Sequence, residues 1–169
     1  MKKKLIITGI ALIVIGLTFY VYRNGNSGPD REVWSKLSKL QGIRREEFDG
    51  HHVLLHFWAK WCEPCAEEIP GLVRFAEKVG SARKLKVLAV SLDPKLEDSL
   101  EILPEKGKHL PPQFVLALDA DHSVAESLGS WQYPETYLVG PDGKIVEKWI
   151  GPQPWQKQEI VDFFLNRLQ

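Results

Sequence analysis

Two near-continuous apolar runs, Val53 to Trp58 and Leu85 to Leu92, restrict the fold this chain can adopt. Such runs mark strands buried on both faces of a sheet, and a sheet covered on both faces needs helices above and below it. Leu72, Phe75, Ala76 and Val79 recur at helical spacing, as do Leu96, Leu100 and Leu103, and likewise Ile160, Val161, Phe164, Leu165 and Leu168. Phe114 to Leu118 and Glu135 to Val139 read as further strands. The second leads through Pro141-Asp142-Gly143-Lys144 into Ile145 to Ile150, an antiparallel hairpin with turn chemistry in place. The order strand, helix, strand, helix, strand, helix, hairpin, helix predicts an α/β domain with a mixed central sheet flanked by helices. Residues 31–50 stay unassigned, because Val33, Leu37 and Leu40 suit either an amphipathic helix or a strand.

The chain's two cysteines stand as Cys62-Glu63-Pro64-Cys65, between the first strand and the first helix. At a helix start, Cys62 meets unpaired backbone N–H groups and the positive end of the dipole, which stabilise a thiolate. Cys62 is the expected nucleophile. Cys65, one turn further in, is the expected buried partner that closes a disulfide and resolves a mixed disulfide with substrate. A purely structural disulfide across so short a loop would remove little chain entropy. A closed zinc site needs four ligands, and no second cysteine pair exists, although five histidines could contribute. The expected chemistry is therefore redox exchange on the Cys62–Cys65 disulfide, with no cofactor or metal expected.

The N-terminus carries Lys2, Lys3 and Lys4, then an uncharged stretch from Leu5 to Tyr22. As a helix that stretch would span roughly 27 Å, close to the hydrocarbon core of a bilayer. Three lysines before it and Arg23 after it place the N-terminus in the cytoplasm and the rest of the chain outside. One N-terminal transmembrane helix (1–23), a Gly- and Asn-rich linker (24–32) and one domain (33–169) are expected, anchored in the cytoplasmic (inner) membrane with the domain on the extracytoplasmic, periplasmic side. A cleaved signal peptide shares the charged start and apolar core. The exit Thr18-Phe19-Tyr20-Val21-Tyr22-Arg23 lacks small cleavage-site residues, and Tyr20 and Tyr22 suit an interfacial aromatic belt, which favours the retained anchor. Lys plus Arg equals Asp plus Glu at 22 each, so the balance points to no nucleic-acid partner.

Phe57-Trp58-Ala59-Lys60-Trp61-Cys62-Glu63-Pro64-Cys65 resembles the active-site segment of the thioredoxin superfamily. The continuation Ala66-Glu67-Glu68-Ile69-Pro70 is similar to the membrane-anchored extracytoplasmic TlpA, ResA and CcmG group, and Trp131 to Val139 resembles the segment carrying the superfamily's cis-proline, here Pro134. Pro-Glu-Thr looks most like the CcmG branch, whereas Cys-Glu-Pro-Cys looks most like ResA. The resemblance implies a thioredoxin fold and a thiol-disulfide oxidoreductase. It implies client protein thiols or disulfides, such as the haem-attachment cysteines of apocytochrome c, and a membrane electron donor such as a CcdA/DsbD-like protein.

A cis Tyr133-Pro134 bond would free the Tyr133 backbone to pair with an extended substrate, and Trp61 would offer apolar area at the rim beside Lys60. Glu68 is a candidate catalytic carboxyl, with a solvated helix-face charge as the alternative. Glu63 and Glu135 are candidates for tuning. A carboxylate near the sulfurs disfavours thiolate and can move protons between the thiols, which points to a reductant. His56 departs from the family, which has Asp or Asn there. It is either a proton relay for Cys65 or a hydrogen-bonded core histidine. His51, His52, His109 and His122 read as surface residues. The rival function is Cu(I) binding by the reduced cysteines with His109 or His122 as third ligand, a metallochaperone role in oxidase assembly. A peroxide-reducing enzyme would need a Thr or Ser shortly before its cysteine, and Trp58-Ala59-Lys60-Trp61 offers none.

Overall fold

The structure, a computed structural model, describes residues 30–168. The segment expected to cross the membrane lies outside the described residues; among those described, no helix is long and apolar enough to do so. A helix, α1 (Asp30–Leu37), and a 3-10 turn (Arg45–Phe48) lead into β1 (His52–Trp58), the long helix α2 (Glu63–Ala82) and β2 (Leu85–Ser91). There follow α3 (Leu96–Leu100), a second 3-10 turn (Pro104–Gly107), β3 (Phe114–Leu118), α4 (Ser123–Ser127), β4 (Glu135–Val139), β5 (Ile145–Ile150) and α5 (Gln158–Arg167). α1 thus begins inside the stretch read as linker, and it answers the helix-or-strand question left open for residues 31–50.

The strands form one mixed sheet in the order β3-β2-β1-β4-β5, parallel on the β2 side of β1 and antiparallel on the β4 side. This is the thioredoxin fold. β1 is central, and Val53 to Trp58 are all buried, as their apolar run requires. The β4–β5 turn closes with Gly140 N–H donating to the Lys144 carbonyl, and Gly143 there adopts φ +82°, which a side chain would resist. Leu96, Leu100 and Leu103 do not share one helix. Pro104 holds Leu103 extended (ψ 147°), so α3 is a single turn and the chain re-enters a 3-10 turn.

The register decides which side chains share a face. His56 pairs with Thr136, and Thr136 with Trp149, so these three point to one side; Phe57, Glu135, Tyr137 and Lys148 point to the other. α2 and α5 cover the His56 side, where Phe75, Trp149, Trp155 and Phe164 form a continuous aromatic cluster at centroid spacings of 5.0–6.3 Å. Burying Phe75, Trp155 and Phe164 contributes on the order of 2–3 kcal/mol each, while Trp149 is half-buried at the edge of the cluster. α1 and α4 contact each other on the Tyr137 side, where the Tyr137 hydroxyl meets Ser130 Oγ and the Leu128 carbonyl.

Candidate active site

The loop between β1 and α2 presents the cysteines. Cys62 is the N-cap residue of α2, extended at φ −91° and ψ 99°, and its carbonyl accepts the N–H of Ala66. Pro64 sits in the first turn, where a missing N–H costs nothing, and Pro70 lies further along the same helix. Cys62 and Cys65 are joined in a disulfide with their Cα atoms 5.2 Å apart; Cys62 is 7% exposed and Cys65 is fully buried, the order expected of nucleophile and partner. This disulfide-forming pair is the active-site chemistry of a thiol-disulfide oxidoreductase.

Asp93, at the end of β2, fixes the approach to Cys62. Both of its carboxylate oxygens accept the backbone N–H of Lys60, and Ser91 and Ser99 donate hydroxyls to it. The Lys60 side chain is exposed and pairs with Glu101. Trp61 is 58% exposed and its ring meets that of Tyr133 edge to face at 6.2 Å. The Tyr133–Pro134 bond is cis. The ring contact therefore brings the cis-proline segment to the cysteine loop. Trp131, 67% exposed, adds a second indole to the same segment.

Glu68 is not a solvated charge. One turn beyond Cys65 on α2, it is buried, and its Oε2 accepts two N–H groups from the segment after β5: the Gln153 backbone at 2.7 Å and the Trp155 indole at 3.1 Å. Its Oε1 faces His56 Nε2 at 3.3 Å. His56 is fully buried, and its Nδ1 lies 2.9 Å from Thr136 Oγ1. Burial pushes the Glu68 carboxyl up to about 7 against the pull of its two donors, and burial pushes His56 down to about 3, so the imidazole is neutral.

Glu135 does not join this pair. It is buried on the opposite face of the sheet, where Lys148 forms its ion pair. Glu63 is exposed in the first turn of α2. The remaining histidines are not all at the surface: His109 is exposed beside Glu105, but His51 and His52 are half-buried, and half-buried His122 reaches the Leu92 carbonyl through Nε2. Among the described residues, no group of three or more His, Cys, Asp or Glu side chains is placed to hold a metal ion. Sequence reasoning missed Asp93, Thr136, Gln153 and Trp155 as supports of the site. Only Asp93, a lone acid at the end of a buried strand, carried a usable signal.

A family model described as the AhpC/TSA family matches residues 25–148. Thiol-disulfide oxidoreductase ResA of Bacillus subtilis (strain 168) is 31% identical over 160 residues, covering 87% of this chain and 86% of that protein. The chain belongs to the AhpC/TSA family, among the thioredoxin-fold thiol-disulfide oxidoreductases related to ResA, DsbE and CycY. Thiol:disulfide interchange protein CycY of Rhizobium leguminosarum bv. viciae is 29% identical over 128 residues, 75% of this chain and 65% of that protein, so the chain spans slightly less than two thirds of that relative's length. The crystal structure of a thiol:disulfide interchange protein DsbE from Chlorobium tepidum superposes with a TM-score of 0.62 at 27% identity, over 75% of this chain and 86% of that one. All three relatives are, by name, thiol-disulfide exchange proteins.

Proposed function

We propose that this protein is a membrane-anchored, extracytoplasmic thiol-disulfide reductant whose clients are protein disulfides, such as the haem-attachment cysteines of apocytochrome c. Cys62 attacks the client disulfide and forms a mixed disulfide, releasing one client thiolate. Cys65 then attacks Cys62, forming the intramolecular disulfide and releasing the second client thiolate. Two electrons pass to the client, and a CcdA/DsbD-like membrane protein restores the dithiol by the reverse exchange.

The observation that carries the reductant assignment is the buried Glu68 carboxyl one turn from Cys65. Ionised, it opposes a second negative charge nearby and so disfavours the reduced, thiolate-bearing state; protonated, it is an acid within the site. Raising the Cys62 pKa by about one unit costs the thiolate about 1.4 kcal/mol, equivalent to lowering the potential by roughly 30 mV. Trp61, Tyr133 and Pro134 form the docking edge for the extended client segment. The Lys2-Lys3-Lys4 start and the apolar residues 5–22 support the anchor and its orientation.

Equilibrating the protein with glutathione tests the direction. A potential well below that of glutathione is expected, and a value near or above it removes the reductant assignment.

A further inference from the structure

The pairing of an imidazole with the buried carboxyl has a chemical consequence that the position of Glu68 alone does not carry. Oε2 of Glu68 already accepts two N–H donors, from Gln153 and Trp155, so a proton bound by this carboxyl belongs on Oε1. Oε1 and His56 Nε2 face each other at 3.3 Å, and neither has a hydrogen-bond partner among the described residues. The other imidazole nitrogen meets the Thr136 hydroxyl, a group that can donate or accept.

We propose that His56 is a positioning residue that keeps Glu68 satisfied in both of its protonation states, so that the imidazole–carboxyl pair, rather than the carboxyl alone, sets when a negative charge appears one turn from Cys65. When Glu68 carries its proton, the Oε1 hydroxyl donates to Nε2, and Nδ1–H donates to Thr136. When Glu68 is ionised, the imidazole takes its other tautomer: Nε2–H donates to Oε1, and Nδ1 accepts from the Thr136 hydroxyl. The net change is one proton lost from the pair, with the imidazole neutral throughout, consistent with its depressed basicity in this site.

Among the described residues, the other titratable side chains that the register puts on this face are His52 of β1 and Glu147 of β5, the latter paired with Arg167 of α5, and neither makes a hydrogen bond or ion pair with His56 or Glu68. On β2, His56 is opposite Ala89, and on β4 it is opposite Thr136. The segment after β5 contributes a backbone amide and an indole, and α2 contributes Cys65, disulfide-bonded here. Glu135 and Lys148 lie on the far face of the sheet. Hydrogen bonds to a charged group are roughly twice as strong as neutral ones, so the imidazole favours the ionised carboxyl more than the protonated one. Removing its donor therefore raises the Glu68 pKa.

This inference rests on Glu68 as the carboxyl that governs the dithiol, but its test needs no redox turnover. The full chain in its disulfide form, labelled with 13C at Glu side-chain carboxyls, is titrated by NMR, with Glu68→Gln assigning the resonance. In His56→Gln the amide nitrogen takes the place of Nε2 and keeps a donor for Oε1. In His56→Asn it takes the place of Nδ1 and keeps only the Thr136 contact. The Glu68 midpoint is expected to rise by about one pH unit, a tenfold change in ionisation constant, in His56→Asn and to stay near that of the unaltered protein in His56→Gln. An unchanged midpoint in His56→Asn, or an equal rise in both variants, overturns the proposal. Should a variant fail to fold, 15N shifts of the His56 imidazole in the unaltered chain decide. A switch of the protonated nitrogen that tracks the Glu68 titration supports the proposal, and a constant tautomer contradicts it.

Discussion

Trp155 donates its indole N–H to Oε2 of Glu68 at 3.1 Å, across 87 residues of sequence, and so ties the segment after β5 to the active-site helix. Trp155→Phe keeps most of the ring in its cluster with Phe75 and Phe164 and removes that donor alone. Hydrogen bonds to charged groups contribute about 1.5–3 kcal/mol and neutral ones about 1 kcal/mol. Urea unfolding should therefore show a larger loss of stability at pH 8, where Glu68 is ionised, than at pH 5, where it is protonated. Equal losses at the two pH values would place the effect in ring packing.

His56 and Glu68 push stability in opposite directions as pH changes. Glu68 titrates near 7 in the folded chain against an ordinary 4.5, so the folded state binds the extra proton between these values, and stability from this group is lost as pH rises through them. His56 titrates near 3 against 6.5, so the unfolded state binds the extra proton, and stability from this group is lost as pH falls from 6.5 to 3. From pH 4.5 to 6.5 the two slopes cancel. Glu68→Gln should expose the histidine slope, up to about 1.4 kcal/mol per pH unit, as a rise of stability with pH across that window. Denaturation curves at half-unit steps measure it.

The same substitution should act on the sulfurs. With the negative charge gone, the Cys62 thiol of the reduced protein should ionise at lower pH in Glu68→Gln, shifting the midpoint of the thiolate absorbance down by about half a unit to one unit. No shift would remove Glu68 from the redox site.

Gly80 is required by packing. A Cβ there would lie 2.6 Å and 2.7 Å from the Cγ and Cβ of Gln113 and 3.0 Å from the Leu85 carbonyl. Overpacking of this kind costs about 1–3 kcal/mol and outweighs the roughly 1 kcal/mol of helix propensity that alanine adds. Gly80→Ala should lower stability. Gly71→Ala should not, because its Cβ at 2.2 Å meets only the far end of the exposed Gln156 side chain, which can swing away.

The sheet was legible because β1 and β2 are buried on both faces and β4–β5 carry their own turn residues, so each element announces itself within a few residues. The cysteines were legible for the same local reason, and the cis-proline through the resemblance of Trp131 to Val139 to the superfamily's segment. The surroundings of Glu68 were not, since its burial comes from Gln153 and Trp155, brought in from a distant segment whose sequence gives no sign of that contact. Glu135 and His56 could be placed on opposite faces only once the β1–β4 register paired His56 with Thr136. Helical spacing across Leu96, Leu100 and Leu103 misled because Pro104 breaks the turn that would have joined them.

In the proposed exchange, Cys62 is the sulfur that meets the client. The full-length reduced Cys65→Ser variant, mixed with a peptide containing a Cys-x-x-Cys disulfide, should accumulate a covalent peptide adduct through Cys62, visible by mass spectrometry and removed by dithiothreitol. Cys62→Ser should form none. Failure of Cys65→Ser to trap an adduct, or trapping of equal amounts by Cys62→Ser, would contradict it.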